Sequence, residues 1–116
     1  VVQLPLPGVL KGQEDEIIAK IAPGKDVDGF SGKSPFEPPC VRAVLRLLAG
    51  TKRDFSSSRV LILARGREFS RKLKEKLSAQ FSAVEIHLIN KKEQIPKSFQ
   101  GFDVLISALG IPQSIP

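Results

Sequence analysis

Five consecutive apolar residues, Val60 to Ala64, follow the polar stretch TKRDFSSSR (51–59). A continuous apolar run of that length fits a strand buried on both faces. Helical spacing comes next, with Phe69, Leu73, Leu77 and Phe81 at every fourth residue, then a β-rich run, VEIHLI (84–89). A third run, DVLISAL (103–109), closes the series after a loop holding Pro96 and Gly101. Strand, helix, strand, loop, strand is the order of a parallel α/β sheet.

The first third of the chain reads differently. The opening VVQLPLP fits a strand that ends in a proline-stiffened loop. QEDEIIAKIA has acids at its start and Ile17, Ile18, Ile21 and Ala22 on one side, the pattern of a short amphipathic helix matched to its dipole and ended by Pro23 and Gly24. From Lys25 to Pro39 the chain is rich in Gly, Pro, Ser and charge and is expected to be a loop. Val41, Val44, Leu45 and Leu48 then space out a second helix, ended by Gly50.

Composition narrows the class. At 116 residues and 41% hydrophobic, the chain is about one domain in size and can bury a modest core. A single cysteine, Cys40, excludes an internal disulfide, and no apolar run reaches the roughly 18 residues of a membrane span. The chain begins with Val, holds no methionine, and stops just after a strand-and-turn pattern. It is therefore expected to be a piece of a longer protein.

A formal charge of +6 raises the question of an anionic partner. Much of the excess is local: Arg65, Arg67, Arg71, Lys72, Lys74 and Lys76 in one segment, Lys91, Lys92 and Lys97 in the next. A solvated helix face accounts for the helical positions equally well. Seven Phe with no Tyr or Trp supply few stacking platforms, which argues against nucleic acid.

In parallel sheets ligands gather at the carboxyl ends of strands. Those ends are ARG (64–66), INKK (89–92) and ALGIP (108–112). They make Arg65, Gly66, Lys91 and Gly110 the candidate binding residues of this half. Gly66 falls between a strand and a helix N-terminus, where backbone N–H groups hold phosphate and Arg65 could pair with it. A full G-x-G-x-x-G is absent, with Ala64 where a first glycine would stand and Ser70 where a third would come, and a plain βα turn stays open. His87 alternates with Ile86 and Leu88 in a strand and has no acid or Cys at ligand spacing, so its role is structural. No residue pattern supports a metal.

VQLPLP, then KDVDGF, then Pro39-Cys40 before a helix, then a parallel unit ending ALGIP resembles the bifunctional methylenetetrahydrofolate dehydrogenase/cyclohydrolase (FolD) family, over nearly the whole chain. The resemblance implies that residues 1–40 end a folate-binding catalytic domain, that 41–50 form a hinge helix, and that 51–116 begin a Rossmann-like NAD(P)-binding domain. It implies that Gln3 and Asp28 contact a tetrahydrofolate derivative, with Gln3 supporting catalysis, and that NADP, or NAD, is the cofactor. A homodimer of the parent protein, in the cytoplasm or the mitochondrial matrix, is implied too. A buried amide suits an amine or water, and an ionised carboxylate suits paired N–H donors on a pterin edge. Asp28 could instead only cap the turn at Gly29.

The departures from the family pattern are specific. The family's Tyr-x-x-x-Lys belongs upstream of Val1, so the chain lacks the catalytic lysine and is expected to be inactive alone. The loop after KDVDGF is shortened to SGKSPFEP, and Val41 and Arg42 replace the usual Thr and Pro after Cys40. Gly-Arg-Ser becomes Ala64-Arg65-Gly66, and His-Ser after the next strand becomes Leu88-Ile89. These changes leave open a non-catalytic relative that keeps the fold for binding or dimerisation.

Overall fold

A computed structural model of the chain describes residues 2–3, 6–112 and 115. It divides into two compact units, Val1–Arg42 and Ala43–Pro116.

The first unit holds helix α1 (Glu14–Ala19), two short 3-10 turns (Gly8–Leu10 and Pro23–Lys25) and the start of helix α2 (Pro39–Gly50), inside which the boundary falls. Glu14, Asp15 and Glu16 occupy the first turn of α1, where carboxylates meet the positive end of the helix dipole. Ile18 is its buried anchor. Gln3, Leu6 and Pro7 lie outside any strand, although the VVQLPLP run was expected to form one; Val1, Leu4 and Pro5 of that run lie outside the described residues. A strand needs a ladder partner for its N–H and C=O groups, and the one sheet among the described residues is built wholly in the second unit.

Helix α2 begins two residues earlier than its apolar spacing suggests, because Pro39 at a first helical position gives up only an N–H that would be unpaired there anyway. Gly50 does not end it by turning left-handed. Lys52 does that, at φ 55°, while Thr51 Oγ1 donates to the Leu48 carbonyl at 2.7 Å.

The second unit is the expected parallel α/β sheet. Strand β1 (Arg59–Ala64) pairs in parallel with β2 (Ala83–Leu88) on one side and with β3 (Val104–Ala108) on the other, giving the order β2-β1-β3. Helix α3 (Arg67–Leu77) makes the β1-to-β2 crossover and packs on both strands. Central β1 is buried from Val60 through Ala64, as a strand covered on both faces must be. One of its faces carries Leu61 and Leu63, which form a core with Ile89 and Leu109, closed by Ile95, Phe99 and Phe102 from the β2–β3 connection.

Leu73, Leu77 and Phe81 of the expected every-fourth-residue series are buried, and Ser70, not Phe69, joins Leu73 and Leu77 on the buried side of α3. Steps of four residues drift about 40° around a helix of 3.6 residues per turn, whereas steps of three and four alternate about one line. Phe69 is half-buried, and Phe81 lies beyond the helix, where its ring stacks on Phe55 at 4.9 Å. At the amino edge of the sheet, Arg59 N–H donates to Asp103 Oδ2 at 2.8 Å and its guanidinium lies over Phe102 and beside Glu85. That edge is a structural clasp, remote from the carboxyl ends of the strands.

Among the described residues no helix is long and apolar enough to cross a membrane, and no cluster of His, Cys, Asp or Glu has the makings of a metal site.

Candidate functional site

The strand order reverses at β1: the chain leaves it for β2 on one side and returns to β3 on the other. A crevice outside the carboxyl ends of strands at such a reversal is where open parallel sheets take ligands. The register shows which residues meet there. Ala64 stands level with Leu88 of β2 and Ala108 of β3, and the Ile89 N–H donates to the Ala64 carbonyl at 2.9 Å. Arg65-Gly66, Lys91 and Gly110 therefore leave the same edge of the sheet, with Gly66 and Gly110 each two residues past the end of the strands that flank the reversal, β1 and β3.

Gly66 is the N-cap of α3, at φ −100° and ψ 130°, and no side chain caps the helix from that position. Its backbone is one any residue adopts, so the turn itself does not demand glycine. A Cβ there would meet nothing within 4 Å. The missing side chain instead leaves the first-turn N–H donors of α3 uncovered, at the positive end of the helix dipole. Arg65 and Arg67 are exposed on either side of Gly66, and Lys91 and Lys92 are exposed after β2. None of these four cations is in an ion pair with a described residue. Glu68, the acid in this helical turn, is held by Arg71 at 2.9 Å. The edge is thus a positive, uncrowded turn suited to a phosphate group.

Lys91 also begins a tight turn. Gln94 Oε1 accepts the N–H groups of Asn90 and Lys91 at 2.7 and 2.9 Å, which fixes the backbone that carries Lys91 and Lys92. Gly110 takes the left-handed φ of 61° just after β3, so there the glycine answers a backbone need. Ala64 is fully buried in the strand. Counted strictly from Ala64, the third position of G-x-G-x-x-G is Phe69, one residue before Ser70, and it is Ser70 that is buried against the sheet. His87 is exposed on β2 and Cys40 is exposed at the second position of α2.

In the first unit Gln3 and Asp28 are both exposed. Asp28 makes no hydrogen bond or ion pair with another described residue, so the turn-capping alternative does not apply to it. That role belongs to Asp26, whose local sequence gives no sign of it. Asp26 is 3% exposed; its Oδ1 accepts the Phe30 N–H at 3.0 Å and its Oδ2 the Ser31 N–H at 2.7 Å. Its carbonyl accepts the Ser34 hydroxyl at 2.6 Å and the Gly29 N–H at 3.1 Å. Gly29 is required: its φ is 66°, and a Cβ would collide with the Phe36 carbonyl oxygen. The KDVDGF motif is accordingly a braced turn that holds Asp28 out to solvent.

Comparison with known proteins places this motif order in context. The chain is 27% identical over 99% of its length to the bifunctional protein FolD of Clostridium tetani. It is 30% identical over 98% of its length to the bifunctional protein FolD 2 of Geobacter metallireducens and, likewise, to the bifunctional protein FolD of Bacillus mycoides. It spans 42–44% of the length of these relatives. No protein-family model and no solved structure matches it. The chain, which carries VQLPLP, KDVDGF and a parallel βαβ unit in that order, is a divergent homologue of the bifunctional FolD proteins over 98–99% of its own length.

Proposed function

We propose that the chain is part of a methylenetetrahydrofolate dehydrogenase/cyclohydrolase, and that the carboxyl edge of its β2-β1-β3 sheet holds NADP by its phosphates. The observation that carries this reading is the β1–α3 turn: an uncapped helix N-terminus opened by Gly66 beside exposed Arg65, on a strand where the sheet order reverses. The residues present fit a dinucleotide. The α3 N–H groups would take the pyrophosphate, Arg65 with Lys91 the additional phosphate of NADP, and Gly110 would leave room along β3. Bound there, the cofactor would supply the hydride acceptor. Gln3 and the exposed carboxylate of Asp28 would bind the tetrahydrofolate derivative, Asp28 accepting N–H donors of the pterin.

The 116-residue chain has no tyrosine and so no Tyr-x-x-x-Lys; on this reading it is expected to be inactive alone in both reactions. NADPH formation from methylenetetrahydrofolate above background would contradict that. A second reading, a non-catalytic relative that keeps binding alone, is favoured by buried Ala64 in place of a glycine and by Leu88-Ile89 in place of His-Ser.

Titrating NADP and NAD against the chain and its Arg65→Ala variant tests the cofactor reading. Binding is expected to be weak, Arg65→Ala to weaken NADP more than NAD, and added salt to narrow that gap by screening exposed charge. Equal losses for the two cofactors, or no binding by the unaltered chain, would remove the cofactor role from this turn.

A further inference from the structure

Of the seven phenylalanines Phe36 is the exposed one, at 46%, and it lies in the shortened loop that follows KDVDGF. A ring left in water forgoes the burial that draws the other six at least partly inside. Its backbone, by contrast, is held. Ser34 Oγ donates to the Asp26 carbonyl at 2.6 Å and accepts the Phe36 N–H at 3.0 Å, which ties Phe36 to the turn that presents Asp28. Pro35 and Pro38 stiffen the segment on either side.

Gly29 completes the placement. It follows Asp28, is buried, and with no side chain lets the Phe36 carbonyl and the Pro38 ring close on the turn. Phe36 is thereby fixed beside the residue that follows Asp28. Val27, 63% exposed, precedes Asp28 at the tip of the same turn. An exposed carboxylate is thus set among exposed apolar residues on a braced backbone. That combination suits a flat ring with N–H donors on its edge, because the carboxylate takes the donors and an aromatic face takes the ring.

We propose that Phe36 is a binding residue for the pterin end of the tetrahydrofolate derivative: its ring is the platform on which the flat pyrimidine half of the pterin lies while Asp28 accepts the N–H donors of its edge. The proposal rests on the folate reading of Asp28. It adds a contact from the shortened loop, where the chain departs from the family pattern. The two contributions are separable, since the brace runs through the Phe36 backbone and not through its ring.

The test titrates tetrahydrofolate against the chain and its Phe36→Leu, Phe36→Tyr and Asp28→Ala variants, with melting recorded alongside. Leucine stays apolar but loses the flat face; tyrosine keeps it. Phe36→Leu is expected to weaken tetrahydrofolate about three- to tenfold, the range of one lost aromatic contact, with an unchanged melting temperature, and Phe36→Tyr to bind as the unaltered chain does. Full affinity in Phe36→Leu, or a loss that Phe36→Tyr shares, overturns the role of Phe36 and leaves the folate reading in place. Tetrahydrofolate binding that is absent from the unaltered chain, or indifferent to Asp28→Ala, overturns both.

Discussion

Asp26 and Asp28 occupy the first and third positions of one turn, closed by the Gly29 N–H on the Asp26 carbonyl at 3.1 Å, and only Asp26 is buried. The buried carboxylate ties down Phe30 and Ser31; the exposed one has no described partner. One braces the loop and the other is presented by it. Asp26→Ala is therefore expected to cost about 2–4 kcal/mol, since two backbone donors lose a charged acceptor. Asp28→Ala should leave stability within about 0.5 kcal/mol and weaken folate binding instead. Urea denaturation of both variants, with folate titration of Asp28→Ala, separates the two. Equal destabilisation by the two changes would contradict this assignment.

Two glycines should respond in opposite ways. Gly29→Ala must place a Cβ against the Phe36 carbonyl oxygen at a left-handed φ, and is expected to cost about 2 kcal/mol or more. Gly66→Ala meets open space, so it should cost about 1 kcal/mol or less, the loss of a good N-cap. Its larger effect should be on dinucleotide affinity, because the Cβ stands where a phosphate would approach. Thermal melts and an NADP titration of both variants check the pair.

Lys52 is strained as it stands. A residue with a Cβ at φ 55° gives up about 1 kcal/mol relative to glycine. Lys52→Gly should raise stability by about 0.5–1 kcal/mol, and a lower melting temperature in the variant would contradict the left-handed assignment.

Much of the second unit was legible in the residues, and the reasons are physical. Val60–Ala64 is apolar without interruption because both faces of β1 are covered, and that run alone locates the centre of the sheet. VVQLPLP carries equally apolar residues, yet strand formation depends on a ladder partner that composition does not reveal. Asp26 and Asp28 have the same local signature, each an aspartate near a glycine. Which one turns inward shows only in the folded loop, where the Phe30 and Ser31 N–H groups meet the Asp26 carboxylate and Ser34, eight residues on, closes on the Asp26 carbonyl. At Ser70 the sequence shows a polar residue one place past the third fingerprint position, but not that its hydroxyl would reach back to the Gly66 carbonyl. Periodicity reports burial; it does not report which carbonyls a buried oxygen reaches.

Asp54 offers a pH readout just before β1. The Ser56 N–H donates to its carboxylate at 2.9 Å, and this backbone hydrogen bond, with a smaller share from the Ser56 hydroxyl, holds its pKa below the usual aspartate value. A carboxyl whose pKa is lower folded than unfolded stabilises above its unfolded pKa, and that contribution is lost as pH falls through the folded value. Because the group is exposed, the effect is small. Comparing the acid limb of stability for the chain and Asp54→Asn should show a slightly steeper loss in the unaltered chain, and identical limbs would count against the bond.

Backbone amide shifts on adding NADP to the chain show whether the β1–α3 turn takes the phosphates of a dinucleotide. Gly66, Arg67 and Glu68 are expected to move first and furthest, with smaller shifts at Lys91 and Gly110, while the amino-edge residues Arg59 and Asp103 stay in place. Saturating NADP that leaves Gly66, Arg67 and Glu68 unmoved would contradict phosphate binding at this turn.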